Sequence, residues 1–141
     1  MVCLKALGYF WSMKNRKIPL NLNCGLDLVG EVLYGKWKMR LLWFIKQGHK
    51  RPSELQRKVP DASRRVLNVQ LKELEDHELI SKVVYPVVPP KVEYNLTEFG
   101  ETLIPVIAAI GQWGDSNEER LRSLILAQSE LNVEYWVKDK K

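Results

Sequence analysis

Cysteine is scarce in this chain, and histidine equally so. Two cysteines, Cys3 and Cys24, do not make a disulfide framework, and their rarity suits a reducing cytoplasm. His49 and His77 fall near expected helix ends, with no second ligand spaced to join them, so no metal centre is expected. No apolar run reaches the length of a membrane span, and the opening MVCLKALGYFWSMK lacks the apolar core and small-residue cleavage site of a secretory leader. A glycine-rich loop to cradle phosphate is missing, as is any Ser/His/Asp set. The acidic run Glu73, Glu75, Asp76 and Glu78 has no partner that suggests acid–base work. These absences point away from an enzyme, from a cofactor and from a membrane protein, and towards a cytoplasmic binding protein.

What is present is charge, unevenly placed. The 141 residues are 45% hydrophobic and 28% charged, enough apolar content for one core with extended ends. The net charge is +5. Between residues 36 and 91 stand 13 Lys and Arg against 6 Asp and Glu, while the remainder carries 9 against 11. Positive potential is thus concentrated mid-chain, which favours a polyanionic partner.

At the centre of that region lies SRRVLNVQLKELEDHEL, residues 63–79. Leu67, Leu71 and Leu74 recur at i, i+4 and i+7 and line one helix face. Arg64, Asn68 and Lys72 lie away from them, with Arg65 and Val69 alongside. Arginine can donate two parallel bonds to a guanine edge, asparagine can pair with an adenine edge, and lysine suits phosphate. The pattern reads as a recognition helix.

Around it the chain resolves into short elements. Residues 1–12 are apolar and aromatic without a period, and residues 13–23 read as an arm interrupted by Pro19 and asparagines. The basic stretch after Met13 has the character of a natural beginning, so translation is expected to start at Met13, the alternative being that residues 1–12 are a genuine N-terminal extension. Leu26, Val29 and Leu33 predict a short helix ended by Gly35. A second helix is predicted from Lys36 to Gly48, striped by Trp37, Leu41 and Phe44 and widened by Leu42 and Ile45. Pro52 opens a third, and Val59-Pro60-Asp61 ends it, with Asp61 or Ser63 capping the next. Helix, tight turn, helix is the helix-turn-helix arrangement.

After Leu79 the period changes to that of strands. ISKVVY and KVEYNL flank a proline-rich tip, a hairpin that would act as a wing. Thr97 can cap a final helical region in which Pro105 and Gly111 to Gly114 are expected to mark kinks or breaks. Trp37, Trp43 and Trp113 suit a core or a subunit interface better than a ligand cage, although a pocket for a small-molecule effector between helices stays open.

Several of these stretches resemble the HxlR-type transcriptional regulators, part of the MarR-like winged helix-turn-helix group of bacteria and archaea. The likeness is carried by Lys36-Trp37, Ser53-Glu54-Leu55, Leu67 with Leu71-Lys72-Glu73-Leu74-Glu75, and above all YPVVPPKVEYNLT, residues 85–97, with Gly100 and Trp113 beyond. It covers roughly residues 24–114. The resemblance implies a homodimer in which the end helices pair together with the helix after Cys24. Some members use a cysteine at the position of Cys24 to sense oxidants or electrophiles. Where the family has Gly this chain has Glu78, so an altered turn able to re-aim the wing is expected. Pro52 stands for a commoner Phe, and Gly25 for a commoner Pro.

The expected fold is therefore mainly α with a small β hairpin (α+β), a winged helix-turn-helix with terminal dimerisation helices. Residues 1–23 form an arm or extension, 24–114 the domain, and 115–141 a helical extension that serves dimerisation. The expected partners are double-stranded DNA and a second copy, with an oxidant or small molecule as effector. Arg64, Arg65, Asn68 and Lys72 are the candidates for base reading. Lys36, Arg51, Ser63, Lys82 and Lys91 are the candidates for phosphate contact, and Cys24 for sensing. The alternative is a winged helix used only for protein–protein contact, whose binding would lack the steep salt dependence of counterion release.

Overall fold

A computed structural model describes residues 18–20 and 22–138, with side-chain surroundings as far as residue 130. Cys3, Met13 and the basic residues Lys14, Arg16 and Lys17 lie outside the described residues. The chain divides into two compact units, Met1–Lys36 and Trp37–Lys141. In the first, α1 (Gly25–Leu33) begins at Cys24, whose carbonyl accepts from the Leu28 N–H at 3.1 Å. None of its side chains is buried, and Leu26, Leu28 and Val29 stand exposed.

The second unit opens with α2 (Lys38–Lys46). The sequence predicts its start at Lys36, but Trp37 is the residue before the helix, and its carbonyl accepts from Leu41 at 2.8 Å. The buried stripe is Lys38, Leu41, Leu42 and Ile45, while Phe44 is only half-buried. That stripe keeps the helical spacing i, i+3, i+4, i+7. A lysine at its head disguises it, because a charged residue is discounted when apolar positions are matched.

Next come α3 (Pro52–Lys58) and α4 (Arg64–Asp76). In the turn between them the Ala62 N–H donates to Val59 O at 3.0 Å, and the Gln56 amide donates to Ala62 O at 2.7 Å. Leu55, Val59 and Ala62 are buried beneath that turn. Ser63, rather than Asp61, caps α4: its Oγ accepts from the Val66 N–H at 3.2 Å. Leu67, Leu71 and Leu74 are all buried, each contributing about 1.5–3 kcal/mol of apolar transfer.

The hairpin is β1 (Ile80–Tyr85) against β2 (Lys91–Leu96), antiparallel, with Ile80 opposite Leu96 and Tyr85 opposite Lys91. A further bond, Tyr94 N–H to Lys50 O at 2.8 Å, ties the hairpin to the loop ahead of α3. The altered turn expected at Glu78 is not found. Glu78 itself takes φ +60, its N–H donates to Glu75 O, and the Leu79 N–H reaches Leu74 O at 3.1 Å. That is a complete Schellman closure made without glycine.

Beyond the hairpin α5 (Glu98–Ser116) begins at Thr97, whose Oγ1 accepts from the Gly100 N–H and donates to the Glu78 carbonyl at 2.6 Å. Gly100 is required there, because a Cβ would stand 2.0 Å from Leu79 O. Of the kinks or breaks expected at Pro105 and Gly111 to Gly114, no break occurs: α5 is one helix through Pro105, Gly111 and Gly114. Pro105 is exposed, so water can satisfy the carbonyl that its missing N–H leaves free. The chain breaks instead at Asn117, whose side chain donates to Trp113 O at 2.8 Å, before α6 (Glu118–Lys138). Among the described residues no helix is long and apolar enough to cross a membrane, and no group of residues could hold a metal ion.

Candidate nucleic-acid interface

The leucine stripe of α4 leaves Arg64, Arg65, Asn68, Val69 and Lys72 exposed. Its charges are arranged against the helix dipole. The first turn carries two arginines and no acid, and the far end carries Glu73, Glu75 and Asp76 with no base in the last turn. Helix α3 obeys the opposite and favourable order, with Glu54 first and Arg57 and Lys58 last, and α5 and α6 also open on glutamates. Each misplaced charge costs roughly 0.3–1 kcal/mol. Arg64 and Arg65 are thus unfavourable for the helix alone and suited to an anion placed at its N-terminal end.

The two ends of α4 differ in availability. No ion pair or hydrogen bond engages Arg64, Arg65 or the Asn68 side chain among the described residues. Lys72, by contrast, sits 2.9 Å from Asp76 and 3.9 Å from Glu75. The hydrogen bond to Asp76 raises its pKa, so the ammonium is held more firmly in its charged, paired form.

The expected phosphate contacts are spread along the chain. Ser63 is spent on the cap as an acceptor, leaving its hydroxyl hydrogen to donate. Arg51 lies before α3 with its Nε 4.0 Å from Glu93. Lys91 is 3.1 Å from Glu93 and 5.2 Å from the Tyr85 ring centre. That lysine's hydrogen bond holds the Glu93 carboxyl below the usual range. Lys82 is exposed on β1. Lys36 and Cys24 are exposed in the first unit.

Other residues escaped sequence reasoning. Lys38 is only 2% exposed and bonds Glu73 of α4 at 2.7 Å, and the Trp37 N–H donates to Gln70 Oε1 at 3.0 Å. Two polar ties therefore anchor α4 to the start of α2. Arg40 bonds Lys58 O at 3.1 Å and lies over the Trp37 and Phe44 rings. The only sequence signal for such ties would have been a lysine at a core-spaced position.

Comparison with known proteins places this geometry. Residues 32–122 match the model of the HxlR-like helix-turn-helix family. The chain belongs to that family. An uncharacterized HTH-type transcriptional regulator of Bacillus subtilis, YybR, is 41% identical over 112 residues, covering 79% of this chain and 90% of its own. YdeP of the same organism is 39% identical over 122 residues, covering 82% and 95%. Among solved structures, the reduced form of the redox regulator HypR is 42% identical with a TM-score of 0.68, over 71% of this chain and 99% of that one. The reduced transcriptional regulator YodB from B. subtilis is 32% identical with a TM-score of 0.57, over 67% and 93%. This HxlR-like protein is a DNA-binding transcriptional regulator of the winged helix-turn-helix class and not an enzyme.

Proposed function

We propose that the regulator acts in the cytoplasm as a homodimer that reads duplex DNA with the N-terminal half of α4, one recognition helix per major groove. Arg65 and Asn68 read bases, with Arg64 beside them. Lys36, Arg51, Ser63, Lys82 and Lys91 meet backbone phosphate. Lys72 takes part only if it leaves Asp76. The observation that carries this reading is the pair of unengaged arginines at a helix N-terminus that an anion would stabilise. Half-sites of a twofold dimer should lie about one helical turn apart, roughly 10 base pairs, or a small multiple of that. Arg65→Ala should change sequence preference, whereas Lys82→Ala should weaken all duplexes alike and reduce the salt dependence. Equal, sequence-blind losses in both variants would defeat the assignment of roles.

The dimer is supported by uncovered apolar faces. Phe99, Val106, Ile110 and Trp113 follow one another along α5 at steps of seven, four and three, all exposed, with Leu124, Ile125 and Leu126 exposed on α6. Leu26, Leu28 and Val29 of α1 are likewise uncovered. A second copy covers these faces.

Cys24 is the proposed sensor. Its thiol is exposed and stands at the head of α1, open to an oxidant or electrophile from solvent. The similar HypR is named a redox regulator, and YodB has also been solved after diamide treatment. Titration with a mild oxidant or a quinone should release operator DNA from the wild type and not from Cys24→Ser. Equal responses in both proteins would make Cys24 structural.

A further inference from the structure

Two exposed residues of the recognition helix are left unexplained by fold and by charge. Val66 is 39% exposed and Val69 is 49% exposed. They lie three apart, hence on one side of α4, with Arg65 four residues before Val69 and Asn68 directly before it. The buried stripe of Leu67, Leu71 and Leu74 faces elsewhere. Valine is a poor choice for such positions: branching at Cβ lowers its helix propensity, and here it gains little burial in return. A solvated helix face would have been better served by Ala, Glu or Lys.

Valine does offer an apolar knob of fixed shape. In a helix its χ1 is almost confined to one rotamer, so its two methyls need no ordering when they meet a partner. The partner must lie where Arg65 and Asn68 project, in the major groove. Of the four bases only thymine presents an apolar group there, its 5-methyl. Phosphate and the polar base edges gain nothing from valine, whereas a thymine methyl gains the burial of both surfaces.

We propose that Val69, with Val66 beside it, is a specificity-determining contact that reads the 5-methyl of thymine next to the base contacted by Arg65. The inference rests on the assignment of α4 as the DNA-reading helix and adds a base class to it. The half-site must then contain a thymine at a fixed step from the Arg65 contact. Uracil at that step keeps every hydrogen bond and loses only the methyl.

The test begins with the full-length protein and selection of its preferred duplex from a random pool. Each thymine of the selected half-site is then replaced singly by deoxyuridine, and affinity is measured at one fixed salt concentration. Wild type should bind about three- to fivefold more weakly at one or two of these positions, the loss expected for one methyl left unburied. Val69→Ala, which improves helix propensity and so should fold, should bind the parent duplex weaker by a similar factor and should ignore the uracil. Indifference of the wild type to every replacement overturns the proposal, as does full uracil sensitivity retained in Val69→Ala. Arg65→Ala in the same selection separates the two levels. A changed preference there with no uracil effect sinks the valine contact alone, while an unchanged preference sinks the reading of the whole face and this contact with it.

Discussion

Glu78 shows what one residue can hide. Its φ of +60 lies in the region that favours glycine, yet both bonds of the Schellman closure form around it, and its carbonyl accepts from Thr97. The left-handed conformation is demanded by the close approach of α5, where Gly100 leaves no room for a Cβ beside Leu79 O. The packing therefore imposes the turn, and the glutamate absorbs the strain. Glu78→Gly should raise stability by about 0.5–1 kcal/mol, part of the gain being lost to the greater freedom of glycine in the unfolded chain. Urea denaturation of both proteins at equal concentration measures it. A less stable Gly variant would mean that the Glu78 side chain does something its exposure conceals. The sequence exposed the substitution but not its consequence, because the demand for φ > 0 arises from a contact 22 residues along the chain.

At the scale of elements, legibility followed periodicity. The leucines of α4, the change to strands after Leu79 and the cap at Thr97 were all readable, since each is a local pattern or a local hydrogen bond. What escaped were ties between elements. Lys38 is the clearest: a charged residue in the stripe of α2, buried and bonded to Glu73. Its methylene stem packs like an apolar side chain while its ammonium pairs at the helix flank. Lys38→Met keeps the stem and removes the charge, and should leave stability within about 1 kcal/mol of wild type. Lys38→Ala removes the packing too and should cost about 2–3 kcal/mol. Thermal unfolding of the two variants decides it, since Met as damaging as Ala would show that the ion pair is indispensable.

A second tie fixes the start of α3. The Glu54 carboxylate accepts from the N–H groups of Arg51 at 3.1 Å and of Lys50 at 3.0 Å. The Arg51 hydrogen bond, chief among the causes, holds its pKa below the ordinary carboxylate value. A folded-state pKa below the unfolded one means stabilisation that is present above the unfolded pKa and lost as pH falls through the folded pKa. Lys50 also anchors the hairpin through its carbonyl, so loosening α3 loosens the wing root. Amide exchange at Arg51 and Tyr94 should therefore accelerate, relative to Leu41, as acid is added below the ordinary carboxylate range. Glu54→Gln should show little of this pH dependence. If the glutamine variant retains it in full, another carboxylate governs the region.

The whole molecule poses a question of cover. Alongside its buried positions Gly100, Ile104 and Ile107, α5 carries a second apolar line, Phe99, Val106, Ile110 and Trp113, the last 62% exposed. Three consecutive residues of α6, Leu124, Ile125 and Leu126, are exposed as well. Large apolar side chains left in water in such number suit a surface that a partner covers. Sequence alone could count these residues but could not divide them, because the inner and outer lines of α5 share the same helical spacing. If the outer line is the subunit interface, ending the chain at Asp115 should remove α6 and leave α5 with too little to hold a dimer. Sedimentation should then show a smaller species at micromolar concentration. Operator affinity should fall with it by about 10²–10⁴-fold, the factor gained when two half-site readers are linked, while weak binding to a single half-site persists. Trp113→Glu in the full-length chain provides a second route to the same loss without removing a helix. A truncated protein that stays dimeric, together with a Trp113→Glu protein that binds operator as well as wild type, would move the interface off α5 and α6.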